Sequence, residues 1–103
     1  MKSEPNQPSL IVTAIIRAKA GKVTDLKNAL VAMVAPTHRE AGCLSYELHQ
    51  DLDDPATFVF HENWTSKAHL DAHLASPHLQ AFRAQADGLL AEPPKIMLAK
   101  KVA

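Results

Sequence analysis

From Ser9 to Lys19 apolar and β-branched residues occupy both faces of what reads as a strand. Leu10, Val12, Ala14 and Ile16 form one face, and Ile11, Thr13, Ile15 and Arg17 the other. The pattern predicts a sheet with something packed on each side. Gly21 supplies a turn. From Lys22 to about Ala41 the period becomes helical, with Leu26, Leu30, Met33, Val34 and Thr37 on one stripe. Pro36 removes the hydrogen bond to the carbonyl of Ala32, so a kink is expected there rather than an end. Gly42 suits the position just past the helix. Cys43 to Asp51 alternates again, Leu44, Tyr46 and Leu48 against Ser45, Glu47 and His49. Asp53-Asp54-Pro55 is a turn signal, and Ala56 to Thr65 is the returning strand of an antiparallel hairpin. Ser66 caps a short helix to about Ala75. Ser76-Pro77 breaks that helix and starts the next, His78 to Leu90, with Leu79, Phe82, Ala86, Leu89 and Leu90 as its apolar stripe. Glu92-Pro93-Pro94 stops it, and Lys95 to Val102 reads as the last strand.

This order is β-α-β-β-α-β, an α+β fold of the ferredoxin-like, split βαβ kind with an antiparallel sheet. Residues 1–8 are polar with two prolines and read as a loose tail; residues 9–103 read as a single domain. At 103 residues and 47% hydrophobic, the chain has enough apolar material for one core. The formal net charge is zero with no basic stripe, so nucleic acid is not an expected partner. Cys43 is the only cysteine, which excludes an internal disulfide and a Cys-rich zinc site and fits a reducing cytoplasm. Leu10 to Ile16 with Ala18-Lys19-Ala20 superficially resembles a short signal peptide, but Glu4, Arg17 and Lys19 are wrongly placed for one. No apolar run approaches the roughly 18 residues of a membrane span, so no membrane partner is expected.

The candidate chemistry lies between Phe58 and His78. Phe58, Phe60, Glu62 and Trp64 share one strand face, which puts a carboxylate in a buried aromatic row. Leu70, His73 and Leu74 recur at helical spacing and bring His73 back over that face. The outline is a pocket with an aromatic wall, an acid and an imidazole. Buried there, Glu62 should have a raised pKa unless a cation is near.

Three segments carry a family resemblance: Glu40-Ala41-Gly42-Cys43-Leu44-Ser45-Tyr46, Phe60-His61-Glu62-Asn63-Trp64 and His69-Leu70-Asp71-Ala72-His73-Leu74. In order and at this spacing they resemble the antibiotic biosynthesis monooxygenase domain, most closely its quinol monooxygenase branch, over about Leu10 to Val102. The resemblance implies a homodimer joined through its sheets into a dimeric α/β barrel, each subunit keeping a pocket between sheet and helices. It implies oxygenation of phenols or quinols with dioxygen, without metal, flavin or other cofactor. Heme degradation, also known in the family, uses positions that are Ala14 and Arg83 here, and only Trp64 matches.

On this reading the chain is a cofactor-independent monooxygenase or oxidase of a small aromatic quinol or polyphenol. His73 with Glu62 would remove the phenolic proton, Trp64 and Phe60 would line the substrate, and Tyr46 would hydrogen-bond a substrate oxygen. Each also has a structural reading: a space-filling Trp64, a backbone-bonded Glu62, a Tyr46 satisfied by backbone, a His73 bridging helix and sheet. His69 and His73, spaced i, i+4, would make a facial metal site with Glu62, although no metal is expected. His49 and His61 fall on the opposite face, towards the expected dimer interface. Glu40 closes off a helix or pairs with a basic residue. Two other functions remain: a non-catalytic small-molecule-binding stress protein, and an isomerase of a small metabolite, which would want a cationic anchor that the pocket-facing rows scarcely offer.

Overall fold

The computed structural model describes residues 9–103; the expected tail at residues 1–8 lies outside them. The elements are β1 (Leu10–Arg17), α1 (Val23–Val31), α2 (Val34–His38), β2 (Cys43–Gln50), β3 (Thr57–Trp64), α3 (Lys67–Leu74), α4 (Pro77–Leu89) and β4 (Lys95–Lys100). The strands form one antiparallel sheet in the order β2-β3-β1-β4, the α+β ferredoxin-like arrangement expected from the sequence.

The predicted helix from Lys22 divides into α1 and α2 at Ala32 and Met33. The break falls one turn ahead of Pro36, where the missing N–H leaves the Ala32 carbonyl without its helical donor. Pro36 itself then sits in the first turn of α2, where proline is tolerated. The apolar stripe survives the break: Leu26, Leu30, Met33 and Thr37 are all buried. Ser66 caps α3 by accepting from the His69 N–H, and Ser76 caps α4 by accepting from the Leu79 N–H, with Pro77 at the first helical position. The end of α4 is tied back to β1, Lys19 N–H donating to the Leu89 carbonyl at 2.8 Å.

β2 departs from simple alternation. A bulge between Cys43 and Ser45 puts an extra residue opposite β3, so Cys43 pairs with Trp64 and Ser45 with Asn63. Leu44 is the extra residue; it is exposed, not on the core face with Tyr46 and Leu48. Beyond the bulge Tyr46 pairs with Glu62 and Leu48 with Phe60.

All the helices pack on one sheet face, which carries Val12, Ala14, Ile16, Tyr46, Phe58, Phe60, Glu62 and Trp64, all buried. The other face, with Ile11, Thr13, Ile15, Val59 and Met97, has no cover among the described residues; Ile15 and Met97 are exposed. The two-sided apolar pattern of β1 is therefore met on one side only by this chain's own helices. β4 is thinly covered too: Ile96 and Leu98, on the helix side opposite Ala14 and Val12, remain exposed.

Candidate active site

Between the helices and the helix-side face of β1 and β4 lies a cavity of about 550 Å³. Its walls are mainly apolar, with Val12, Ala14, Leu70, Phe82 and Leu98 among them. Tyr46, Phe60, Glu62 and His73 also line it, and Lys67 and Arg83 supply its only cations among the described residues. Strand period and helix packing together make this arrangement. Tyr46 and Glu62 stand side by side in the β2–β3 register, and the buried face of α3 lowers His73 beside them.

Four of the five expected site residues, Tyr46, Phe60, Glu62 and His73, thus meet on the cavity wall. The Tyr46 ring lies 4.5 Å from Phe60 and 5.4 Å from the His73 ring, centroid to centroid. Trp64 is placed differently from expectation. It is fully buried, does not line the cavity, and sits behind the site with its ring 4.8 Å from that of His73. Its indole N–H donates to Glu62 Oε1 at 2.9 Å. Trp64 therefore packs behind Glu62 and His73 and is bonded to the former, away from the cavity wall.

The partner of His73 also differs. Glu62 is held by Trp64, and it is Glu40 that takes His73, Nδ1 to Oε2 at 2.8 Å. A carboxylate accepts, so Nδ1 carries the proton and Nε2 keeps its lone pair. Nε2 has no hydrogen-bond partner among the described residues. The same Oε2 accepts from His78 Nε2 at 2.7 Å, and His78 Nε2 is also 3.2 Å from the Ser76 hydroxyl. The suggested trio of His69, His73 and Glu62 does not form: His69 Nδ1 instead lies 2.8 Å from both the Thr65 and the Ser66 hydroxyls. His49 and His61 are exposed on the opposite sheet face. Cys43 is half-buried and packs against the core.

Burial governs the electrostatics. It pushes the Glu62 carboxyl up to about 7; the Trp64 hydrogen bond counteracts this in part, and the charge of Glu40 adds to it. Burial, then the neighbouring Glu62 charge, raises the Tyr46 phenol well above its ordinary range, so it stays a donor at every physiological pH. Burial lowers the His73 pKa against the pull of Glu40, favouring the neutral imidazole. The Cys43 thiol is raised by burial and by Glu40 and Glu62, which keeps it unreactive. The site thus combines a neutral imidazole with a free lone pair, a carboxyl that titrates near neutrality and a permanent phenol donor, inside an apolar cavity.

Glu40 was expected only to close off a helix or pair with a basic residue, and His78 was not singled out. Glu40 lies between α2 and β2 and His78 in the first turn of α4, 33 and 5 positions from His73. Lys67 and Arg83 were missed as lining residues because each sits on an exposed helix face. Lys67 is held by Asp71 at 2.7 Å and Arg83 donates to the Leu74 carbonyl at 3.1 Å.

Known proteins share this arrangement of fold and sequence. The solved structure of a Pseudomonas aeruginosa protein superposes with a TM-score of 0.90 at 36% identity, covering 93% of this chain and 96% of that one. A Mycobacterium tuberculosis protein of known structure gives 0.87 at 32% identity, covering 92% and 96%. In sequence alone the M. tuberculosis relative, provisionally named a monooxygenase, is 41% identical over 68 residues, 66% of each chain. An uncharacterised Synechocystis protein is 30% identical over 91 residues, 88% of this chain but 62% of its own length. The chain thus spans under two thirds, or barely that, of these sequence relatives. Residues 9–85 match the family described as antibiotic biosynthesis monooxygenase. With fold and sequence in agreement over most of its length, the chain belongs to the antibiotic biosynthesis monooxygenase family.

Proposed function

We propose that the protein is a cofactor-independent monooxygenase or oxidase that uses dioxygen on a small aromatic quinol or polyphenol. The observation that carries this reading is the meeting of Tyr46, Glu62 and His73 on the wall of one otherwise apolar cavity. Such a cavity suits a flat aromatic ring, and its few polar groups suit two adjacent phenolic oxygens. His73 takes the first phenolic proton on Nε2, and Glu40 stabilises the resulting imidazolium. Tyr46 donates to the developing phenolate. Glu62, titrating near neutrality, takes and returns the second proton. The electron-rich anion passes one electron to dioxygen, and the caged radical pair recombines at a ring carbon to give a peroxide. Protonation and loss of water leave a hydroxylated quinone; the net reaction is quinol plus dioxygen to hydroxyquinone plus water. If the pair separates instead, the products are quinone and hydrogen peroxide.

Oxygen uptake across a hydroquinone series, with ¹⁸O₂ incorporation followed by mass spectrometry, tests the reading. The expected result is quinol-dependent uptake with label in the ring product, or peroxide in its place. Tight binding of quinols with no oxygen uptake would instead make the protein a non-catalytic binder. Lys67 and Arg83 at the cavity wall favour a second reading, isomerisation of a small anionic metabolite. That reaction needs no oxygen, so the same electrode separates the two.

A further inference from the structure

We propose that Glu40, His73 and His78 form a binding site for a borderline divalent cation of the zinc class. The donors Glu40 Oε2, His73 Nδ1 and His78 Nε2 come from three different segments and all lie within 4.8 Å of one another. The Glu40 oxygen is 2.8 Å from one nitrogen and 2.7 Å from the other. Bond lengths of about 2.0–2.2 Å to such an ion, at tetrahedral angles, put adjacent donors roughly 3.3–3.6 Å apart. An ion therefore fits if Glu40 Oε2 draws back by about half an ångström or more from each imidazole while the two ring nitrogens, within 4.8 Å of each other, close on the ion. Two imidazoles and a carboxylate suit zinc, cobalt(II) or nickel(II), and the set lacks the oxygen ligands that calcium or magnesium requires.

The charge balance points the same way. The Glu40 side chain is only 16% exposed, and no Lys or Arg pairs with it among the described residues. A part-buried carboxylate without a Lys or Arg partner leaves a charge that a cation can balance. A divalent cation between the three donors supplies the missing charge. The donors are also pre-positioned: His73 is 3% exposed and Ser76 both caps α4 and contacts His78, so little side-chain entropy is lost on binding.

The site lies behind His73 rather than in the cavity, since neither Glu40 nor His78 lines that space. Its effect reaches the cavity through the ring. Coordination uses the Nδ1 lone pair, so the ring proton moves to Nε2. His73 then presents a donor to the cavity where the metal-free ring presents an acceptor, and a bound ion would stop it acting as a base. That consequence rests on the function proposed above; the binding itself does not.

The test uses the untagged full chain, stripped with a chelator, and equilibrium dialysis against micromolar Zn²⁺. The expected result is one ion per chain at micromolar affinity or better. Glu40→Gln and His78→Ala should each weaken it by more than the roughly 10–100-fold that loss of an outer-sphere partner costs. His69→Ala, which removes an imidazole outside the cluster, should leave it unchanged. His78→Gln and a circular-dichroism melt guard against a variant that has merely unfolded. In the wild type, imidazole ¹⁵N spectra should show the His73 proton move from Nδ1 to Nε2 on loading. Absence of binding below millimolar Zn²⁺, binding that survives both cluster variants, or an unmoved His73 proton would each overturn the proposal.

Discussion

Replacing Glu62 with glutamine should remove a pH dependence of stability that can be sized from the structure. Glu62 is 5% exposed, and burial carries its carboxyl from an ordinary 4.5 to about 7. The folded state therefore holds a proton that the unfolded chain releases between these values. Below about 4.5 both states are protonated and folding is not penalised. As the pH rises through this window stability falls, by about 1.4 kcal/mol per unit, and above about 7 the full penalty of about 3 kcal/mol is in place. His73 acts in the opposite sense: its lowered pKa makes stability rise with pH below its ordinary value. The wild-type curve alone mixes these two groups, whereas the difference between wild type and Glu62→Gln isolates one of them. Glutamine keeps an oxygen for the Trp64 N–H and cannot ionise. The two proteins should then differ by a constant below pH 4.5, and the variant should gain about 3 kcal/mol on wild type by pH 8. For a domain of this size that is roughly 12–24 °C in Tm. Urea unfolding at half-unit pH steps measures it directly. Parallel curves for the two proteins from pH 4.5 to 8 would refute the placement of Glu62 as a buried, near-neutral carboxyl.

His73→Ala should cost roughly 10²–10⁴ in quinol turnover, the usual range for a positioned acid–base group, as read by oxygen uptake. Equal turnover in variant and wild type would remove His73 from the mechanism. Gly42 has φ +81, and a Cβ there would collide with the His69 ring. Gly42→Ala should therefore destabilise by about 1–3 kcal/mol or more in chemical denaturation, and an unchanged midpoint would contradict the conformation. The uncovered sheet face is expected to be the homodimer interface. Light scattering should give a dimer for the wild type and a monomer for Ile15→Glu, which puts a charge on that face. A monomeric wild type at micromolar concentration would refute the interface.

Much of this molecule follows from local pattern. Period-two alternation in Leu10–Arg17 and Thr57–Trp64 and the helical stripes of α1 and α4 specify which side chains are buried, because the side-chain direction at each step is set by the backbone alone. The same reasoning placed Glu62 among aromatic residues and His73 over them. The exceptions were decided by tertiary contact. The bulge at Cys43 and Ser45 moves Leu44 off the core face, since pairing with Trp64 and Asn63, not the β2 pattern, fixes the register. Trp64 retreats behind the site because its N–H finds Glu62, two residues away on the same strand face. The partner of His73 is Glu40, 33 residues distant, and the same oxygen takes His78, 38 residues from it. No periodicity extends that far. Their meeting depends on tertiary packing, and only the seating of α3 on β3 and of α4 against α3 brings one carboxylate within reach of two imidazoles.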